Sequence, residues 1–174
     1  MGTETSEPSW QSVKRDGDIE IRDYDPMIVA EVATNGEHYE AINAGFRILA
    51  GYIFGGNTAQ TKIAMTAPVT QEELENQNEW KVRFVMPPDY TMASLPIPND
   101  ARIKFLEIPA YRTAVIKFSG FNTDSNLKEH LKILMAWLAT NNIAPIGKPV
   151  YAFYNPPWTL PFFKRNEVMV EVRR

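Results

Sequence analysis

One order of elements occurs twice along this chain, and that repetition limits the possible folds more than any single motif does. The first half reads strand, strand, helix, strand, strand. Its strands are "IEIRDYDP" (19–26), "MIVAEVAT" (27–34), "KIAMTAPV" (62–69) and "EWKVRFVM" (79–86). The second half repeats the order with "ARIKFLEIPA" (101–110), "YRTAVIKFSG" (111–120), a helix from Asp124 or Ser125, "KPVYAFY" (148–154) and "EVMVEV" (167–172). One constant shift sets Ile19 on Ile103, Met27 on Tyr111 and Gly36 on Gly120. Duplication of one unit is the simplest account, and the period is too long for a short-repeat solenoid. The expectation is an α+β fold of eight strands and two helices packed on sheet, with pseudo-repeats 18–86 and 101–173. Neither half alone has enough core, so residues 13–174 are read as one domain behind a polar, mobile segment, 1–12.

Within the halves the periodicities are clear. Trp80, Val82, Phe84 and Met86 alternate inward against outward Lys81 and Arg83. Tyr39, Ile42, Phe46, Leu49 and Ile53 recur at helical intervals and predict the buried stripe of the first helix. Thr34 and Glu37 have capping-box spacing, and Gly55-Gly56 ends that helix. The same helix carries Ala41, Ala44, Gly45, Ala50 and Gly51, residues that either let a neighbour approach closely or leave room. "KIAMTAPV" poses the same choice in a strand of small side chains, and its Pro68 predicts an edge or a bulge.

The composition excludes several functions. A net charge of −3 without a dense basic cluster gives no nucleic-acid footprint. The absence of Cys removes thiol catalysis, thiolate zinc sites and iron–sulfur clusters. No apolar run reaches the length of a membrane span, and no secretory leader is present. A soluble protein is expected, cytoplasmic by default, or of the cell envelope or periplasm if a leader has been removed. No nucleophile elbow, P-loop, zincin or dinucleotide motif occurs, so an enzyme is not expected.

Three features remain as candidates. The loop "NPPWTLPFFKRN" (155–166) carries Trp158, Leu160, Phe162 and Phe163, which either fold over the core or form a contact patch, with Lys164 and Arg165 able to meet an acidic group. The small-residue faces of the first helix and of "KIAMTAPV" are filled by large side chains or by a ligand. His38, in the first turn of the first helix, is either an exposed polar residue or an axial ligand to haem iron; His130 reads as a boundary residue beside a Leu stripe.

The stretches "IEIRDYDP", "KIAMTAPV", "WKVRFVMP" (80–87) and "YNPPWTLPFFKRNEVMVEV" (154–172), in that order, resemble the SOUL/haem-binding protein family. The resemblance implies a distorted eight-stranded antiparallel β-barrel with two helices, similar to the gyrase-inhibitor-like effector-binding domains. It implies non-enzymatic, non-covalent binding of b-type haem or a related tetrapyrrole in a hydrophobic pocket beside the first helix, for carriage or buffering. By position the pocket falls on Ile42, Asn43, Phe46, Arg47 and Ala50, with Met65 from the small-residue strand. The wall would be Trp158, Phe162 and Phe163, with Lys164 and Arg165 near the propionates. Where some members place a proposed ligand histidine, this chain has Asp23. The alternatives are an effector-type module for another apolar small molecule, or a protein-interaction module using the Trp158–Phe163 loop. A monomer or weak homo-oligomer is expected.

Overall fold

A computed structural model describes residues 5–76, 78–155 and 159–174. Among these, nine strands and two helices occur: β1 Trp10–Asp16, β2 Ile19–Tyr24, β3 Met27–Asn35, α1 His38–Ile53, β4 Val69–Glu73, β5 Glu79–Val85, β6 Lys104–Ile108, β7 Tyr111–Phe118, α2 Asp124–Thr140, β8 Val150–Phe153 and β9 Asn166–Val172. The α+β class and the doubled strand–strand–helix–strand–strand order are as the sequence predicts. β1 is an addition, and it begins inside the stretch expected to be mobile.

The chain divides into two compact units. One holds residues 26–109 with those up to 8; the other holds 9–25 and 110–174. In the first, antiparallel pairing gives the order β4–β5–β3–β6. In the second the order is β1–β2–β7–β9–β8. β6 is the counterpart of β2, and β3 of β7, so β4–β5–β3–β6 matches β8–β9–β7–β2 strand for strand. Each unit therefore takes its leading strand from the other half of the sequence. Local chemistry explains why neighbours β2 and β3, or β6 and β7, do not pair. Their connections are Asp25-Pro26 and Pro109-Ala110. A two-residue hairpin of type I′ needs positive φ at both central positions, which proline forbids, and Pro109 excludes type II′ as well. The duplication also shows at Gly36 and Gly120, which carry φ of 128° and 100° just before their helices.

Each unit has its own core. In the first, Ala30 and Val32 of β3 and Val82 and Phe84 of β5 pack with Leu49, Tyr52 and Ile53 of α1. In the second, Ile19, Ile21, Ala114, Ile116, Val168, Val170 and Val172 pack against Leu127, Leu134 and Leu138 of α2. Thr123 caps α2, its side chain accepting from the Asn126 N–H at 3.2 Å.

Two expectations are corrected. "KIAMTAPV" is not a strand: residues 62–68 are irregular, apart from a single bridge between Thr66 and Ser6, and β4 begins only at Val69. Thr66 turns its hydroxyl to the Val85 carbonyl at 2.6 Å, and Ala67-Pro68 is cis. The buried face of α1 is also rotated from the predicted stripe. Ala41, Gly45, Leu49, Tyr52 and Ile53 face the sheet, whereas Tyr39 and Phe46 face solvent. A Cβ on Gly45 would lie 2.6 Å from Val82 Cγ2, so the missing side chain brings this helix close to β5. Nor is Thr34 the cap: Glu37 holds that position without a side-chain bond, and Thr34 donates to the Ala41 carbonyl at 2.6 Å.

Candidate functional site

Rotation of α1 leaves an apolar strip on its outer side. Tyr39 is 80% exposed, Phe46 46% and Phe54 66%. At the helical rise of about 1.5 Å per residue, Tyr39 to Phe46 covers roughly 10 Å along the axis. Asn43 and Ala50 lie along the same side at helical spacing and are half-buried, and exposed Arg47 adjoins Phe46. Ile42 packs onto the core edge of the first unit.

Segment 62–71 borders this helix and is tied at both of its ends. The Ile63 N–H donates to the Ile53 carbonyl at 2.8 Å, and His38 Nε2 lies 2.8 Å from Gln71 Oε1. Between these ties Met65 is 54% exposed while Ile63, Thr66 and Ala67 are buried. The Ile63 tie holds the stretch that carries Met65 to Ile53, at the C-terminal end of α1, and the Thr66–Val85 bond anchors it on the other side. His38 is stacked on Trp80 with ring centroids 3.8 Å apart. The bond to Gln71 and this stack hold the His38 ring against β4 and β5.

A second constellation lies in the other unit, where sequence reading saw only signature residues. Arg22 of β2 and Glu167 of β9, both buried, form a paired contact: Nη2 to Oε2 at 2.7 Å and Nη1 to Oε1 at 3.0 Å. Tyr154 donates its hydroxyl to Glu167 Oε1. Arg22 also donates to Glu20 at 2.7 Å and to the Tyr24 hydroxyl at 3.0 Å. Its guanidinium lies over the Trp10 ring at 4.2 Å. Burial raises the Glu167 pKa, but the bonds and charge of Arg22 outweigh it and the net shift is downward. Burial, with the Glu167 charge, pushes the Tyr154 phenol well up. The carboxylate is thus ionised and the phenol neutral near pH 7. Strand alternation explains the placing: Glu20, Arg22 and Tyr24 share one side of β2, opposite Ile19 and Ile21.

The predicted site residues fall in both units. Ile42, Asn43, Phe46, Arg47, Ala50 and Met65 belong to the first, five of them on α1 and Met65 in the segment tied to its C-terminal end. Phe162, Phe163, Lys164 and Arg165 belong to the second; Trp158 lies outside the described residues. Phe162 and Phe163 are exposed, ring centroids 4.4 Å apart, on a short 3₁₀ turn, Pro161–Phe163. Lys164 is half-buried. Arg165 lies over the Tyr154 ring at 3.8 Å, with Nη2 3.4 Å from Glu167 Oε2, and so joins the buried cluster. Asp23 is bound by Arg112 at 2.8 and 3.0 Å. The missed residues were Glu20, Arg22, Tyr24, Tyr154 and Glu167. Their only sequence signal was charge within predicted strands, Glu20 and Arg22 in β2 and Glu167 in β9.

The family model described as SOUL heme-binding protein matches residues 5–171. The chain belongs to the SOUL heme-binding family. Heme-binding protein 2 of Mus musculus is 28% identical over 172 residues, which span 92% of this chain and 83% of that protein. Among solved structures, the EcmrR C-terminal domain shares the fold with a TM-score of 0.65 at 17% identity, covering 95% of this chain and 98% of that one. SAV2435 bound to tetraphenylphosphonium aligns with a TM-score of 0.53 at 8% identity, covering 89% and 93%. As in the SOUL family generally, activity as an enzyme is not expected. No described helix is long and apolar enough to cross a membrane.

Proposed function

We propose that this SOUL-family chain binds haem or a related tetrapyrrole non-covalently on the outer side of α1, for carriage or buffering. The observation that carries the reading is the exposure of Tyr39, Phe46 and Phe54 along the helix that the family resemblance implicates, with exposed Met65 in the segment tied to its C-terminal end. The residues present suit such a group. The aromatic strip offers apolar surface for a macrocycle, at about 25 cal/mol per Å² before association costs. Arg47 offers a guanidinium to a propionate, and Met65 and Tyr39 carry donor atoms of kinds that bind haem iron. Bound haem would supply the iron and the absorbing macrocycle; the chain supplies surface, orientation and charge. His38 has a packing role in this reading. Arg165, in the other unit, is engaged by Glu167.

The test is titration of the full chain with ferric haem, followed in the Soret region. A shift at micromolar haem, weakened roughly ten- to hundredfold in Phe46→Asp, is expected from losing one apolar contact of about 1.5–3 kcal/mol. No spectral change at that concentration would refute the reading.

The alternative is an effector-type module for a different apolar molecule, the likeness to tetraphenylphosphonium-bound SAV2435 being one of fold. Thermal stabilisation by tetraphenylphosphonium but not by haem would favour the alternative.

A further inference from the structure

The donor atoms on the α1 side differ sharply in availability. The sequence holds two histidines and no cysteine. His38 is committed to Gln71 and stacked on Trp80. His130 belongs to the other unit, where its Nδ1 lies 2.7 Å from the Asn126 carbonyl and its ring stacks on Phe118 at 3.9 Å. Asp23, at the position where some relatives carry histidine, is held by Arg112. The imidazole and carboxylate candidates therefore have other tasks.

Two donors remain on the strip, the Tyr39 phenol and the Met65 thioether. Tyr39 sits in the first turn of α1. Met65 lies two residues after Ile63, which is bonded to Ile53 at the opposite, C-terminal end of α1, where exposed Phe54 follows. Its neighbours are Ala64, Thr66 and Ala67, and Thr66 and Ala67 are buried. A long flexible thioether thus stands out of a row of small residues, on a backbone held by the Ile63–Ile53 and Thr66–Val85 bonds. A buried methionine packs as an apolar residue, as Met86 and Met169 do here. Met65 is not spent in that way, and thioether sulfur is an established axial donor to haem iron. Resting on the haem reading above, we infer that Met65 is the axial ligand, and that the small residues around it leave the macrocycle room to approach.

The test uses the full chain with ferric and ferrous haem, comparing wild type, Met65→Leu and Tyr39→Phe. Leucine keeps the side-chain bulk and removes the sulfur. Met65 is exposed, so the fold should be unaffected, checked by an unchanged thermal midpoint. Wild type should show an iron–sulfur scattering shell in X-ray absorption and a ferric Soret maximum shifted from that of free haem. Met65→Leu should still take up haem while losing the sulfur shell, and Tyr39→Phe should keep it. Overlapping Met65→Leu and wild-type spectra overturn the assignment, as does loss of the axial signature in Tyr39→Phe alone. In those two cases haem binding on α1 stands. Failure of the wild type to take up haem overturns both readings.

Discussion

Two glycines of one helix should respond to the same substitution with opposite sign. Gly51 is exposed, and a Cβ there meets nothing within 4 Å. Gly51→Ala should gain the helix-propensity difference, about 1 kcal/mol. Gly45 gains the same term but places its methyl 2.6 Å from Val82 Cγ2 and 3.1 Å from Val82 Cβ. Val82 is fully buried and β-branched, so it has little freedom to rotate away. Forcing a methyl into such a contact costs typically about 1–3 kcal/mol. The net for Gly45→Ala is a loss of up to about 2 kcal/mol, and the two variants should differ by about 1–3 kcal/mol. In a domain of this size that is roughly 2–12 °C in Tm. Urea titrations with a common slope would read the difference directly. In Gly45→Ala/Val82→Ala, the two changes should couple favourably, by roughly 0.5–3 kcal/mol. If Gly45→Ala stabilises as much as Gly51→Ala, α1 does not lie against β5 at this distance, and the rotated face that exposes Phe46 is wrong.

Other perturbations address the buried cluster and the exposed turn. Arg22→Met strands Glu167 in the interior and should cost about 3–5 kcal/mol by denaturant titration, whereas Arg22→Met/Glu167→Gln should recover a large part of it. Glu167 has a folded pKa below its ordinary 4.5, so the unfolded chain binds the extra proton first. Its stabilisation is complete above about pH 4.5 and is lost as pH falls through the folded value; Glu167→Gln should flatten the acid limb of urea midpoints measured from about pH 6 to 3. Glu20, also shifted downward, keeps part of that slope in the variant. Phe162→Ser/Phe163→Ser changes only exposed rings and should move stability by less than about 1 kcal/mol, read by thermal melt.

The legible parts of this fold were those where periodicity and burial agree. Trp80, Val82, Phe84 and Met86 alternate and are all buried, and the Leu127–Leu134–Leu138 spacing located the core face of α2. The α1 face was misread because its closest contact is made by a glycine. Periodicity weights large side chains, so Tyr39 and Phe46 drew the stripe outward while Gly45 held the real contact. "KIAMTAPV" alternates like a strand, but Thr66 bonds to the Val85 carbonyl and regular pairing starts after Pro68. The Arg22–Glu167 pair spans 145 positions, and charged residues in alternating strands read as solvent-facing until register opposes them. The α1 candidates came from the family resemblance. The sequence did not show that Met65 would be exposed and His38 occupied.

The crossed allocation of β2 and β6 has a consequence for dissection. A cut in the 87–100 connection would give two pieces, each carrying a strand, β2 or β6, that the other piece's sheet lacks. Neither piece could satisfy its own exposed backbone, and each would be a template for the other. Mixed together, they should reassemble by fragment complementation; alone, each should aggregate or pair with itself. A half-length chain of this design would therefore obtain its missing strand only by exchange with a second copy, and the duplication keeps that exchange inside one polypeptide.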